Sequence, residues 1–257
     1  MAARGVTIDF GDGGSAEYLR ILNLTGTDRF DLINEDFTIC GWMNVIGQLS
    51  THTDGRGFWL FALEDQVSFL GASLYLEGTA AFPGTPLKAR GQVESQVAAH
   101  ANFTAGASDI DAGESWFYAL VWDHTAGTWK RYVGIDGGSL SSVTVSTISY
   151  LLATPIKDLA IGADFANNYG MNADVTNVKI WKRAFSSGEL AAEKESEDPV
   201  ISTGIWGHYK LADHLDLTNY SAGVGPTLSA VGTLGDGTMD PVDLQAAAGH
   251  GRVFIIS

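Results

Sequence analysis

The sequence predicts an all-β fold, an antiparallel two-sheet sandwich carrying one short helix. Short apolar or alternating runs bounded by Gly, Asp, Asn and Ser recur from one end of the chain to the other, while segments of 3.6-residue period are nearly absent. Thirty-one glycines against six prolines supply turn residues for many short strands. With 257 residues, 45% hydrophobic and 11% aromatic, the chain has material for one large core. All-β sandwiches routinely reach about 250 residues as one unit, so a single domain is expected.

Strands are expected at residues 6–10, 37–45, 58–63, 73–77, 116–122, 128–133, 142–148, 159–161, 175–181, 205–211 and 253–256. Within the second of these, Phe37, Ile39 and Met43 fall on one face and Cys40 and Trp42 on the other, so both faces should be covered. The run from Trp116 to Trp122 is likewise apolar on both faces, as an interior strand of two packed layers should be. Ser186-Ser187-Gly188-Glu189 has the spacing of a capping box and opens a short helix through Lys194, which Pro199 stops. Residues 78–115, rich in Ala, Gly, Thr and Ser, read as a long excursion with one strand near residues 99–103.

Fifteen basic against thirty acidic side chains give a net charge of −15, which repels phosphate backbones and anionic lipid surfaces. Nucleic acid is therefore not an expected partner. The acidity suits a cation, a positively charged partner or plain solubility. The single cysteine, Cys40, closes no disulfide within the chain and lies in an apolar run. The N-terminal MAARGVTIDF lacks the apolar stretch of a signal peptide, and no run approaches the ~18 apolar residues of a membrane span, so membrane insertion is not expected.

Four segments occur in a familiar order: VTIDFGDG at 6–13, FTICGWMNV at 37–45, WFYALVWDHTAGTWKRYVGIDGG at 116–138 and LAIGADFANNYGMNADVTNVKIWKRAFSSGEL at 159–190. That order resembles the laminin-G-like or pentraxin-like branch of the concanavalin-A-like lectin/glucanase superfamily. The resemblance implies a jelly-roll sandwich with a family-like core over residues 1–195. A further piece, Trp206-Gly207-His208-Tyr209-Lys210-Leu211, resembles a segment that often precedes the opening strand in such modules. Residues 201–257 are accordingly read as completing or decorating the one sandwich.

Chemistry-bearing motifs are sparse. Polysaccharide-cleaving relatives of this fold carry paired glutamates around an aspartate, and no E-x-D-x-x-E occurs here. The acidic cluster from Glu193 to Asp198 reads as a solvated charge run at the helix end. Gly11 to Ala16 mimics a dinucleotide fingerprint but lacks the helix that must follow, leaving a glycine-rich strand connection. No G-x-S-x-G, H-E-x-x-H or C-x-x-C appears, and the six histidines are scattered singly, each expected at the surface or a strand end. His208 and His214 with Asp213 and Asp216 are close in sequence and form a conceivable transition-metal group, though without a defined ligand spacing. No catalytic residue is assigned.

Binding is better supplied. Calcium takes carboxylate and amide oxygens from loops, and many relatives of this fold bind it at a loop edge. Two loops offer such oxygens: residues 164–174, with Asp164, Asn172 and Asp174, and residues 109–114, with Asp109 and Asp111. The same residue types equally satisfy turn geometry. For a sugar ring, Trp42, Trp59, Trp116, Tyr118, Trp122 and Tyr169 are available as stacking platforms, most of them expected in the core. Tyr169 with Asn167 and Asn168, and Trp59, are the ligand-binding candidates.

Two roles follow from this reading. One is a surface component of a bacteriophage virion, a capsid decoration or tail-associated protein that self-associates as a homo-oligomer or in a capsid lattice. An extracellular fold type that starts near Met1 without an export signal suits release by lysis. The other is a secreted carbohydrate-binding or adhesion module with a glycan or protein partner, calcium-dependent. The expected location is the virion surface or the extracellular space.

Overall fold

A computed structural model describes residues 4–9, 17–32, 34–47, 56–64, 71–77, 87–94, 100–102, 109–110, 114–135, 137–146, 156–163, 172–221 and 225–239. The strands, in chain order, are β1 (Arg4–Asp9), β2 (Tyr18–Ile21), β3 (Phe37–Gly47), β4 (Arg56–Glu64), β5 (Gly71–Glu77), β6 (Leu87–Glu94), β7 (His100–Asn102) and β8 (Asp109–Ile110). They continue as β9 (Ser115–Asp123), β10 (Thr128–Ile135), β11 (Ser141–Ser146), β12 (Asp158–Ile161), β13 (Asn172–Trp181), β14 (Ile205–Tyr209), β15 (Ser229–Val231) and β16 (Gly235–Met239). One helix, α1 (Ser187–Lys194), follows β13.

Two eight-stranded antiparallel sheets form the sandwich the sequence predicts. Sheet A runs β11-β10-β9-β3-β13-β1-β16, with β14 also paired to β13; sheet B runs β15-β2-β12-β4-β5-β6-β7, with β8 also paired to β6. Residues 201–239 contribute to both layers, β14 and β16 to sheet A and β15 to sheet B. The excursion over 78–115 holds more order than expected, because it contains β6 and β8 as well as β7, with both β7 and β8 paired to β6. The expected strand at 253–256 and the glycine-rich connection at 11–16 lie outside the described residues.

Alternation on β3 sorts its side chains as the period of two requires. Phe37, Ile39 and Met43 join the inter-sheet core with Ile8, Leu19, Leu120, Leu159 and Trp206. Cys40 and Trp42 point to the opposite face of sheet A, where they pack with Phe117, Val121, Trp181, Phe185 and Leu190. Helix α1 therefore roofs the outer face of sheet A. Eight residues are too few for a helix to persist alone, so packing and capping must hold it. Fully buried Leu190 contributes about 1.5–3 kcal/mol of that packing. The predicted capping box is present: the Ser186 hydroxyl accepts from the Glu189 amide, and the Glu189 carboxylate accepts from the Ser186 amide.

β13 carries a bulge. Thr176 pairs with Trp42 and Lys179 with Cys40, so Asn177 and Val178 together face Gly41. Asn177 adopts a left-handed φ of 51°, a conformation asparagine tolerates better than most residues. Beyond the bulge the far edge of β13 changes partner, from β1 at Val175 to β14 at Val178. The amide of Asn177 and the hydroxyl of Thr176 both donate to the Lys210 carbonyl, sealing that change of partner.

Candidate functional site

Strand ends decide which connections meet. Asn172, the first residue of β13, pairs with Asp9 and Gly47, the last residues of β1 and β3. Ser115, the first residue of β9, pairs with Asn44, close to the same end. In sheet B, Ile161 ends β12 opposite Leu19 near the start of β2. Glu77 ends β5 opposite Arg56 at the start of β4 and Lys88 at the start of β6, and Lys88 pairs with Asp109 of β8. The two sheets are in contact at this end, because a Cβ on Gly162, just past β12, would stand 2.6 Å from Ile8 Cδ1 of β1. The connections 10–17, 48–55, 78–86, 111–114 and 162–171 therefore all leave from and return to one end of the sandwich.

Most of the sequence candidates belong to these connections or to the strand ends that bound them. Asp164, Asn167, Asn168 and Tyr169 belong to the connection from β12 to β13, and Asp111 to the connection from β8 to β9; all five lie outside the described residues. Asn172 and Asp109 are the first residues of β13 and β8, and Trp59 sits on β4 opposite Tyr75; the side chains of these three lie outside the described set. Two loops far apart in sequence thus start from the same end of the fold.

Asp174 departs from expectation. It belongs to β13 rather than to a loop, is fully buried, and pairs through its backbone with Thr7 and Asn44. Strand β13 starts earlier than the sequence reading because Asn172, Ala173 and Asp174 continue the ladder between β1 and β3. Of the aromatic candidates, Trp42, Trp116, Tyr118 and Trp122 are core residues, as their strand spacing predicts.

The outer face of sheet A holds a buried polar cluster that the sequence does not announce. Ala119, Cys40, Lys179 and His208 lie in one row across β9, β3, β13 and β14. Lys179 Nζ donates to Glu193 Oε2 at 2.9 Å and to the carbonyls of Glu193 and Ser196 at 3.2 and 2.6 Å. The other oxygen of Glu193 accepts from the Ile201 amide at 2.8 Å. His208 Nε2 lies 3.1 Å from the Glu197 carbonyl, so that nitrogen carries the proton. Burial, reinforced by Lys179 and Lys210, lowers His208 to about 4, which keeps it neutral near pH 7. Burial also pushes the Cys40 thiol well above its ordinary range, so it is an inert packing group.

This cluster corrects two expectations. Glu193 and Lys194 are buried, not solvated, because sheet A supplies Lys179 of β13 for one, and Trp42 of β3 and the Ile135 carbonyl of β10 for the other. His208 is buried at 2% exposure and is not a surface residue. With every hydrogen-bonding direction of Lys179 turned to protein, the cluster is closed and serves as an internal clamp for α1.

The metal grouping around His208 and His214 does not assemble. His214 Nδ1 pairs with Asp236 at 2.6 Å, while His208 is turned under Glu197. Among the described residues no three His, Cys, Asp or Glu side chains are placed to hold a metal ion. A surface feature the sequence reading missed lies nearby: half-exposed Tyr220 donates its hydroxyl to Asp216 at 2.8 Å, with Lys210 Nζ 5.4 Å from its ring centre. Lys210 is in turn paired with Asp198 at 2.9 Å. Only an aromatic residue within an Asp- and Asn-containing stretch could have signalled it. No helix among the described residues is long and apolar enough to cross a membrane.

No protein-family model and no curated protein matches the chain. Solved structures do resemble it. The native heptameric SAP-like pentraxin from Limulus polyphemus superposes with a TM-score of 0.58 at 11% identity, over 94% of this chain and 97% of that one. A Bacteroides ovatus protein assigned to carbohydrate binding gives 0.55 at 13% identity, over 95% of this chain and 63% of that one. Tailspike protein 2 from the Escherichia coli O157:H7 bacteriophage CAB120 gives 0.54 at 11% identity, over 82% of this chain and 30% of that one. At such identities the likeness establishes the lectin-type β-sandwich fold and nothing finer.

Proposed function

We propose that this protein is a non-catalytic, lectin-like binding module whose ligand end is the one where the five connections meet, and that its ligand is a glycan. The observation that carries the reading is the convergence of strand ends at Asp9, Gly47, Glu77, Asp109, Ile161 and Asn172. The connections that carry Tyr169, Asn167, Asn168, Asp164 and Asp111 leave from these strand ends, and the proposed rim is built from them together with Asp109. An aromatic face beside amides and carboxylates is the donor set a sugar ring takes. Calcium, supplied with oxygens from Asp164, Asn172, Asp109 and Asp111, is the proposed cation, in keeping with the charge of −15. The chain is proposed to act as one unit, supported by the C-terminal strands in both sheets.

The likeness to the Bacteroides ovatus protein assigned to carbohydrate binding supports the glycan reading. The likeness to a bacteriophage tailspike supports the version in which the module sits on a virion surface, as a capsid or tail-associated component. A glycan array probed with the purified chain in calcium, and again after chelation, tests the proposal. Binding to a defined glycan class that chelation abolishes is expected. A chain that binds no glycan, and whose melting temperature is indifferent to chelator, would contradict both the ligand and the cation.

A further inference from the structure

A β-sheet edge exposes unpaired N–H and C=O groups, and folded proteins usually blunt such edges with shortness, charge, bulges or a covering segment. Five of the six edges among the described residues are treated in one of these ways. β7 and β15 have three residues each and β8 has two. β16 carries Asp236 between two glycines and pairs with β1 through a register shift. The outer edge of β14 is covered by residues 219–221: Tyr220 donates its amide to the His208 carbonyl, Asn219 Oδ1 accepts from the His208 amide, and Ser221 Oγ donates to the Trp206 carbonyl.

β11 is the exception. Its six residues, Ser-Ser-Val-Thr-Val-Ser, pair in continuous register with β10 and, among the described residues, with nothing on the other side. It contains no charge, no proline and no glycine. Residues 137–156 around it form a run of twenty uncharged positions between Asp136 and Lys157. Val143 leans on the inter-sheet core, which anchors the strand, while Ser142 and Thr144 are exposed on the other face.

We infer that β11 is a self-association edge, pairing antiparallel with β11 of a second copy across a two-fold axis so that sheet A continues through both protomers. Two arguments select a second copy. Copies that each carry −15 repel, so a self-contact is favoured at a surface free of charge, and among the described residues β11 is the open edge that meets this condition. The strand is also self-complementary. An antiparallel two-fold centred on Thr144 sets it against Thr144 of the second copy, Ser142 against Ser146 and Val143 against Val145, so that by register hydroxyl residues oppose hydroxyl residues and valine opposes valine. This contact lies on a sheet edge and does not depend on the glycan reading.

Sedimentation velocity of the full chain, at low and high salt, tests the inference together with the double variant S142K/T144K. Both positions are exposed, so the variant should keep the wild-type melting temperature and circular dichroism. The wild type is expected at twice the monomer mass, more completely at high salt, the double-lysine variant at monomer mass, and S142T/T144S at the dimer mass. A wild type that stays monomeric at every salt and concentration, a dimer that survives both lysines, or a closed ring of higher order would overturn it.

Discussion

Lys179 of β13 and Glu193 of α1 form an ion pair at 2.9 Å with side chains 1% and 0% exposed. A pair this deep gains little over apolar side chains of the same shape, but losing one partner strands a charge in the interior. Glu193→Ala is therefore expected to lose about 3–5 kcal/mol in urea unfolding, while the combined Lys179→Met and Glu193→Leu variant recovers most of it. Equal losses in the two variants would mean that the pair itself, not the stranded charge, supplies the stability.

Acid should act through His208. Its ordinary value of 6.5 holds in the unfolded chain, whereas burial, then Lys179 and Lys210, bring it to about 4 in the folded one. Between those values the unfolded chain binds a proton that the folded chain does not. Stability must then fall as pH drops from about 6.5 to about 4, and this contribution is level above that window. The loss amounts to roughly 3 kcal/mol. His208→Gln should lack that part of the slope while keeping the acid loss due to carboxylates such as Asp198, lowered by its Lys210 hydrogen bond. Parallel stability–pH curves for wild type and variant would refute the assignment.

The cap of α1 is open to a direct check. Ser186→Ala removes the hydroxyl that accepts from Glu189 and leaves an amide of the first turn unsatisfied. A loss of about 1 kcal/mol is expected by chemical denaturation. No change would show that the packing of Leu190 and the Lys179–Glu193 clamp hold the helix without the cap.

Gly162 links the fold to the proposed rim. Its φ of 93° suits only glycine, and an added Cβ would stand 2.6 Å from Ile8 Cδ1. Gly162→Ala is expected to cost about 1–3 kcal/mol. Because residue 162 launches the connection that carries Tyr169, ligand affinity should fall as well. A variant as stable as wild type would show that the contact with Ile8 relaxes freely.

Legibility followed the locality of the signal. Ser186 and Glu189 announce α1 because a capping box is complete within four residues. Phe37, Ile39 and Met43 announce the core because their alternation is carried by large side chains. β6 was hidden by size: Leu87, Ala89, Gly91 and Val93 alternate with Lys88, Arg90, Gln92 and Glu94, but two of the four apolar positions are too small to register as a hydrophobic face. The burial of Glu193 was hidden by distance, since its partner Lys179 lies fourteen residues back on another element. The stretches 109–114 and 164–174 stand out locally as oxygen-rich, yet only strand pairing puts Ile110, Ile161 and Asn172, the strand ends beside them, at a common end. Asp174 looked like the last loop residue because nothing local shows that the ladder between β1 and β3 already reaches it.

The central claim is that ligand binds at the end where Asp9, Gly47, Ile161 and Asn172 terminate their strands. Titration calorimetry with an array-selected glycan, comparing wild type, Tyr169→Ala, Asp164→Ala with Asp111→Ala, and Tyr220→Ala, tests it most directly. Binding at least tenfold weaker in the first two variants and unchanged in Tyr220→Ala is the predicted result. Full affinity in the rim variants with loss in Tyr220→Ala would move the site to the surface beside Lys210 and contradict the account.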